Sequence, residues 1–257
     1  NYPDTEYALD LEFNEAIELA KQLDPDSCRV KVGSKLFTSS GPKIVEELIN
    51  LGFDVFLDLK FHDIPNTVSE SIRSAADLGV WMVNLHASGG SKMMINARNA
   101  LDDYSNPPLL VAVTMLTSLG GNDVKELGVN DISSQVMLLA ELSKRSGLDG
   151  VVCSPNEVSK IKKLCGSEFI GVTPGIRSNN LNDDQSRVSS HKEALNNGSD
   201  FLVIGRPITK SPNPVKSIEE TFASFDFVKR SNYELIFSFN TPPVDLYTVR
   251  YNEHPSR

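Results

Sequence analysis

Cysteine is scarce in this chain and poorly placed for any cross-link. Cys28, Cys153 and Cys165 are far apart and form no C-x-x-C pair, which argues against a disulfide framework or a cysteine zinc site. A reducing, cytoplasmic setting is the economical expectation. His191 and His254 have no neighbours at ligand spacing, so no metal is expected. No apolar run approaches the roughly 20 residues that cross a bilayer, and no basic-then-apolar signal segment opens the sequence. Positive charge is in deficit as well: 25 Lys and Arg against 34 Asp and Glu leave a net charge of −9 and a pI near 5.0. That balance disfavours nucleic acid and anionic membrane as partners. It leaves room for an anionic small substrate, whose binding depends on local charge. No Gly-x-Gly-x-x-Gly follows the first candidate strand, which weighs against a dinucleotide fold.

What the chain does contain is a regular alternation of short β-rich runs and amphipathic helical stretches. Candidate strands lie at 6–11, 28–32, 55–59, 81–85, 109–116, 150–154, 169–173 and 201–205. Their continuous Val, Ile and Leu runs suit strands covered on both faces, as in parallel sheets. Between them, Ile44, Val45, Leu48, Ile49 and Leu51 follow helical spacing up to Gly52, and Val68, Ile72, Ala75 and Ala76 do so before Gly79. Met93, Met94 and Ile95 read as the buried face of another helix, and Ile218, Phe222 and Phe225 suggest a late one. About eight βα units in 257 residues predict an α/β fold, a single (β/α)8 TIM barrel with a short C-terminal extension. Residues 1–229 are expected to form the barrel. Residues 230–257, rich in aromatics and proline without a helical period, form a tail whose structure the pattern leaves open.

The densest chemistry sits in Asp58-Leu59-Lys60-Phe61-His62-Asp63-Ile64-Pro65-Asn66-Thr67, at the end of the apolar run Val55-Phe56-Leu57. Residues i and i+2 of a strand face one side, so Asp58 and Lys60 point together into one space. A barrel brings its strand ends to one rim. That rim would gather Asp10, Lys31, Asp58, Lys60, His86, Thr117, Ser118, Ser154, Pro174 and Gly205. A lone D-x-K is ordinarily a surface ion pair; two lysines and three aspartates near the first three strands make a site the better reading. Across the rim, Gly205-Arg206 after the eighth strand and Gly175-Ile176-Arg177 after the seventh suit a phosphate. Glycine admits close backbone approach and arginine pairs bidentately with phosphate oxygens. The polar run 177–185 reads as a lid over a bound anion. His62 and His86 are read as packing residues, and Cys153 as a small core residue.

These segments, with Lys31-Val32-Gly33, Val113-Thr114-Met115-Leu116-Thr117-Ser118, Thr173-Pro174-Gly175-Ile176-Arg177 and Val203-Ile204-Gly205-Arg206-Pro207, resemble the orotidine 5′-phosphate decarboxylase family over residues 8 to about 225. The resemblance implies decarboxylation of orotidine 5′-monophosphate to uridine 5′-monophosphate, the final step of de novo pyrimidine nucleotide biosynthesis, without metal or organic cofactor. It implies a catalytic set of Lys60, Asp58, Lys31 and Asp63, in which Lys60 stabilises a C6 carbanion and protonates it. Asp63, with Ile64 and Thr67, would reach the partner subunit's site, so a homodimer with shared active sites is expected. Asp10 and Lys31 would meet the ribose, Thr117 or Ser118 the pyrimidine, and Arg206, Gly205, Gln185 and Arg177 the phosphate. Leu59, Phe61, His62, Pro65, Asn66 and Pro174 complete the expected substrate-binding surface. Two rivals stand beside this reading: a magnesium-dependent enzyme like 3-keto-L-gulonate 6-phosphate decarboxylase, sharing the D-x-K-x-x-D core, and a catalytically silent barrel.

Overall fold

Alternate residues of each central strand point to opposite sides, and here the two sides bury different things. The computed structural model describes residues 13–26, 28–174, 191–205, 211, 213, 215–217, 234–239 and 247–249. Its strands are β1 (Cys28–Gly33), β2 (Val55–Phe61), β3 (Met82–His86), β4 (Leu109–Val113), β5 (Gly150–Val152), β6 (Ile170–Thr173), β7 (Phe201–Ile204), β8 (Glu234–Phe239) and β9 (Tyr247–Val249). β1 to β7 pair in chain order, each parallel to the next. β8 lies parallel between β7 and β1 and closes the barrel. β9 runs antiparallel at the same seam. The seven strands expected from residue 28 onward are all present. The first expected strand, 6–11, lies outside the described residues, as does the helix carrying Ile218, Phe222 and Phe225.

One parity of each strand faces the helices. Val30, Val32, Val55, Leu57, Val83, Leu85, Leu110, Ala112, Val151, Leu202 and Ile204 join the large cluster between sheet and helices. The other parity fills the barrel: Phe56, Met82, Val111, Val113, Val152, Val172, Phe201 and Val203, floored by Trp81, Leu109 and Ile170. Burial on both faces explains why the strands read as unbroken apolar runs. The helices match by presenting one buried stripe each: Ile44, Val45 and Leu48 from Lys43–Asn50, and Val68, Ile72 and Ala75 from Pro65–Asp77. Met93 and Met94 are buried as expected; Ile95 is not, since a helix turns 100° per residue and carries it out to solvent.

Aspartates just before three strands pin the end of the barrel away from the site. Asp149 Oδ2 accepts from the Leu110 backbone N–H at 2.8 Å and from Arg98 at 3.2 Å. Asp200 Oδ2 accepts from the Gly171 N–H at 2.7 Å and from Lys162 at 2.6 Å. Asp54 pairs with Arg29, whose guanidinium stacks over Trp81. Each carboxylate satisfies a strand-edge or interior donor that would otherwise be poorly solvated.

Candidate active site

Polar side chains enter the interior parity at the C-terminal ends of the first three strands. Lys31 of β1 and Asp58 of β2 are buried, and Asn84 of β3 is completely so. Below Asp58 and Asn84 the same parity carries Phe56 and Met82, so the carboxylate sits on a hydrophobic floor and under a polar mouth. Asp58 Oδ2 accepts from Lys31 Nζ at 2.5 Å, and its Oδ1 accepts from Lys60 Nζ at 2.7 Å. Asn84 Nδ2 donates to the same Oδ1 at 2.6 Å. Burial alone would raise the Asp58 carboxyl, but the Lys31 and Lys60 ammonium groups and their hydrogen bonds outweigh it. They hold the group well below the usual carboxylate range. Asp58 is therefore an anion clamped between two cations.

The backbone at Lys60 departs from strand geometry. Lys60 has φ +54°, the one non-glycine among the described residues in the left-handed region. Register between β2 and β3 slips here as well: Leu57 lies opposite Val83, but Phe61 lies opposite Leu85. Four steps along β2 thus match two along β3. The bulge re-aims Lys60, whose ammonium stays at the mouth while Leu59 and Phe61 pack against the outer core.

A cavity of about 210 Å³ opens above this group, lined by Lys31, Asp58, Lys60, Leu116, Thr117, Ser118 and Pro174 over an apolar base that includes Phe56, Val113, Met115, Val152, Val172 and Val203. One cavity thus unites the expected Lys31, Asp58, Lys60, Thr117, Ser118 and Pro174. β4 was expected to run on to residue 116 but ends at Val113. There Thr114 turns its hydroxyl to the Val152 carbonyl at 3.2 Å, and the chain carries Leu116 to the mouth. Gly205 is buried just past β7, on the far side of the rim. Asp10, Arg177, Gln185 and Arg206 lie outside the described residues.

The remainder of the motif leaves the cavity. His62, Asp63, Ile64, Asn66 and Thr67 are exposed, and Asp63 Oδ1 accepts from the Ile64 N–H at 2.6 Å. Ile64 is held extended by the following proline, and Pro65 then opens the helix Pro65–Asp77 at its first turn. The His86 ring lies 5.5 Å from that of His62. Burial, then His62 and Lys60, push the His86 imidazole below its ordinary value, with Asp58 opposing. Ser154 is a helix cap: its backbone N–H donates to Glu157 at 2.9 Å, and its hydroxyl accepts from the Asn156 N–H at 3.4 Å. Asn84 is the one member of the buried polar group that motif reading misses. Its only signal is a polar residue at interior parity within the apolar strand Met82–His86.

A family model described as orotidine 5′-phosphate decarboxylase / HUMPS matches residues 6–221. The chain belongs to that family. Among curated relatives, an orotidine 5′-phosphate decarboxylase of Saccharophagus degradans is 52% identical over 228 residues, covering 87% of this chain and 96% of the relative. One from Legionella pneumophila (strain Lens) is 54% identical over 215 residues, 82% of this chain and 94% of the relative. Among solved structures, the orotidine 5′-phosphate decarboxylase of Lactobacillus acidophilus superposes with a TM-score of 0.72 at 38% identity, over 83% of this chain and 94% of that one. Members of the orotidine 5′-phosphate decarboxylase / HUMPS family thus share this chain's barrel, and the α/β TIM-barrel class expected from the strand rhythm holds.

Proposed function

We propose that the chain decarboxylates orotidine 5′-monophosphate to uridine 5′-monophosphate and CO2, with Lys60 as the acid. The observation that carries this reading is the Lys31–Asp58–Lys60 chain of charges lining the cavity. The close relatives carry the name of that activity, at coverage that spans nearly their whole length.

The chemistry is hard because the C6–carboxylate bond breaks with its electron pair left in the ring plane, where the π system cannot take it up. An ammonium fixed beside C6 lowers the energy of that pair without reorganising solvent. Lys60 is fixed in this way by Asp58. As CO2 departs, Lys60 Nζ gives a proton to C6 and becomes a neutral amine, which solvent reprotonates. Asp58 stays ionised throughout, since Lys31 still holds its other oxygen. Lys31 also reaches the ribose with Asp10, and Thr117 and Ser118 hold the pyrimidine edge. Gly205, Arg206, Gln185 and Arg177 take the phosphate, whose binding energy is available to assist the distant bond cleavage.

Asp63, Ile64 and Thr67, exposed on one chain, complete the site of a second copy, making a cytoplasmic homodimer. His62, Pro65 and Asn66 join them as substrate-binding residues, whereas Leu59 and Phe61, expected in the same role, pack against the outer core. The test is loss of ultraviolet absorbance of orotidine 5′-monophosphate on adding purified protein, with and without a chelator. Turnover should be unaffected by the chelator. Chelator-sensitive turnover of a sugar phosphate alone would favour the magnesium-dependent rival, and no turnover by folded protein would favour a silent barrel.

A further inference from the structure

We propose that Asn84 is a positioning residue that sets both the backbone of Lys60 and the orientation of Asp58. This rests on the decarboxylase reading for its effect on rate, but its geometry stands independently of it.

Between Leu57 and Phe61 the ladder from β2 to β3 is interrupted, so the Lys60 N–H has no regular strand partner across the bulge. Asn84 supplies one: its Oδ1 accepts from the Lys60 N–H at 2.8 Å. Its Nδ2 then donates to Asp58 Oδ1 at 2.6 Å, the oxygen that also accepts from Lys60 Nζ. The amide orientation is forced, because a backbone N–H can only donate and a carboxylate can only accept. One wholly buried side chain therefore straps two points of the bulge, the Lys60 backbone and the Asp58 carboxylate. It holds Lys60 at a positive φ that a lysine otherwise seldom adopts. It also keeps one donor on Asp58 when Lys60 has passed its proton on and no longer carries charge. Serine or alanine at this position could not meet the two demands at once, and aspartate would meet only the first.

The charged and titratable groups around this amide are Asp58 and Lys60 of β2, Lys31 of β1, and His86 and His62 at the mouth. That arrangement makes two substitutions informative in the full-length protein. In Asn84→Ala, kcat should fall about 100-fold, the scale of a misplaced catalytic group, while KM changes less than about threefold. In Asn84→Asp the new carboxyl retains an acceptor for Lys60 but repels Asp58. Its kcat relative to wild type should therefore recover as pH falls and the carboxyl becomes a donor, whereas the Asn84→Ala ratio should stay flat. A role confined to folding would produce no such pH-dependent rescue.

A third readout does not require turnover. The Lys60 amide should exchange its hydrogen slowly in wild type and at least about 10-fold faster in Asn84→Ala, with the amides of β4 and β5 unaffected. Turnover within threefold of wild type in both variants, or an unchanged Lys60 amide, would overturn the proposal. A wild-type protein inactive on orotidine 5′-monophosphate would instead defeat the functional reading, and the amide exchange would still decide the strap.

Discussion

At the scale of residues, the site is a contest between burial and pairing over a single carboxylate. Asp58 is buried and yet titrates well below the ordinary carboxylate range, because two ammonium groups lie within hydrogen-bonding distance. A folded-state value below the unfolded one contributes stability that is fully present above about pH 4. It is lost as pH falls through the folded value. Thermal unfolding of wild type and Asp58→Asn should therefore show a gap that is constant from pH 8 to about pH 5 and changes in favour of the variant below about pH 4. A gap that does not move over that acid range would mean that the lysines do not hold the carboxyl down. Asp58, Lys60 and Lys31 were legible beforehand because period-2 alternation and strand-end position are local properties of the chain. Asn84 was not, since its importance comes from a bulge on a neighbouring strand 24 residues away.

At the scale of elements, close strand approach and half-exposed aspartates organise the barrel beneath the site. Gly150 opens β5 where an added Cβ would lie 2.3 Å from the Ile170 carbonyl oxygen of β6. Backbone cannot give way cheaply there, so Gly150→Ala should cost about 1–3 kcal/mol. Asp200→Ala removes the acceptor shared by the Gly171 N–H and Lys162. Its carboxylate is partly solvated, so a cost of about 1–2 kcal/mol is expected rather than the full value of a buried charge-assisted pair. Each should lower Tm by several degrees, at roughly 2–4 °C per kcal/mol for a domain of this size. Unchanged melting in Gly150→Ala would show that β5 and β6 pack less closely than described. Strand existence was readable from continuous apolar runs, but strand ends were not. Thr114, Met115 and Leu116 continue the β-rich run of β4 in sequence, but after the Thr114 bonds to the Val152 carbonyl the chain leaves the ladder to line the cavity.

At the scale of the whole molecule, eight parallel strands bring groups from distant parts of the chain to one mouth. The seam between β7 and β1 is closed by β8, from the tail whose pairing sequence pattern left open. Its partners lie more than 25 residues before it on one side and about 200 on the other, and no local pattern encodes such separations. Assembly is the other large-scale question. Ile64 is 66% exposed beside the exposed Asp63, an arrangement that suits burial against a second copy. If the proposed dimer uses this edge, Ile64→Asp should sediment as a monomer where wild type sediments as a dimer, and should lose activity most at low protein concentration. A variant that remains dimeric with full activity would remove this edge from the shared site.

The central claim is that the Lys60 ammonium, pinned by Asp58, carries the reaction. Turnover of orotidine 5′-monophosphate by Lys60→Ala, measured beside wild type with binding of uridine 5′-monophosphate as a control for folding, tests it most directly. Product binding should be retained and kcat reduced by at least about 1,000-fold, the scale of losing both a proton donor and a preorganised charge. A folded Lys60→Ala protein turning over within 10-fold of wild type would contradict it.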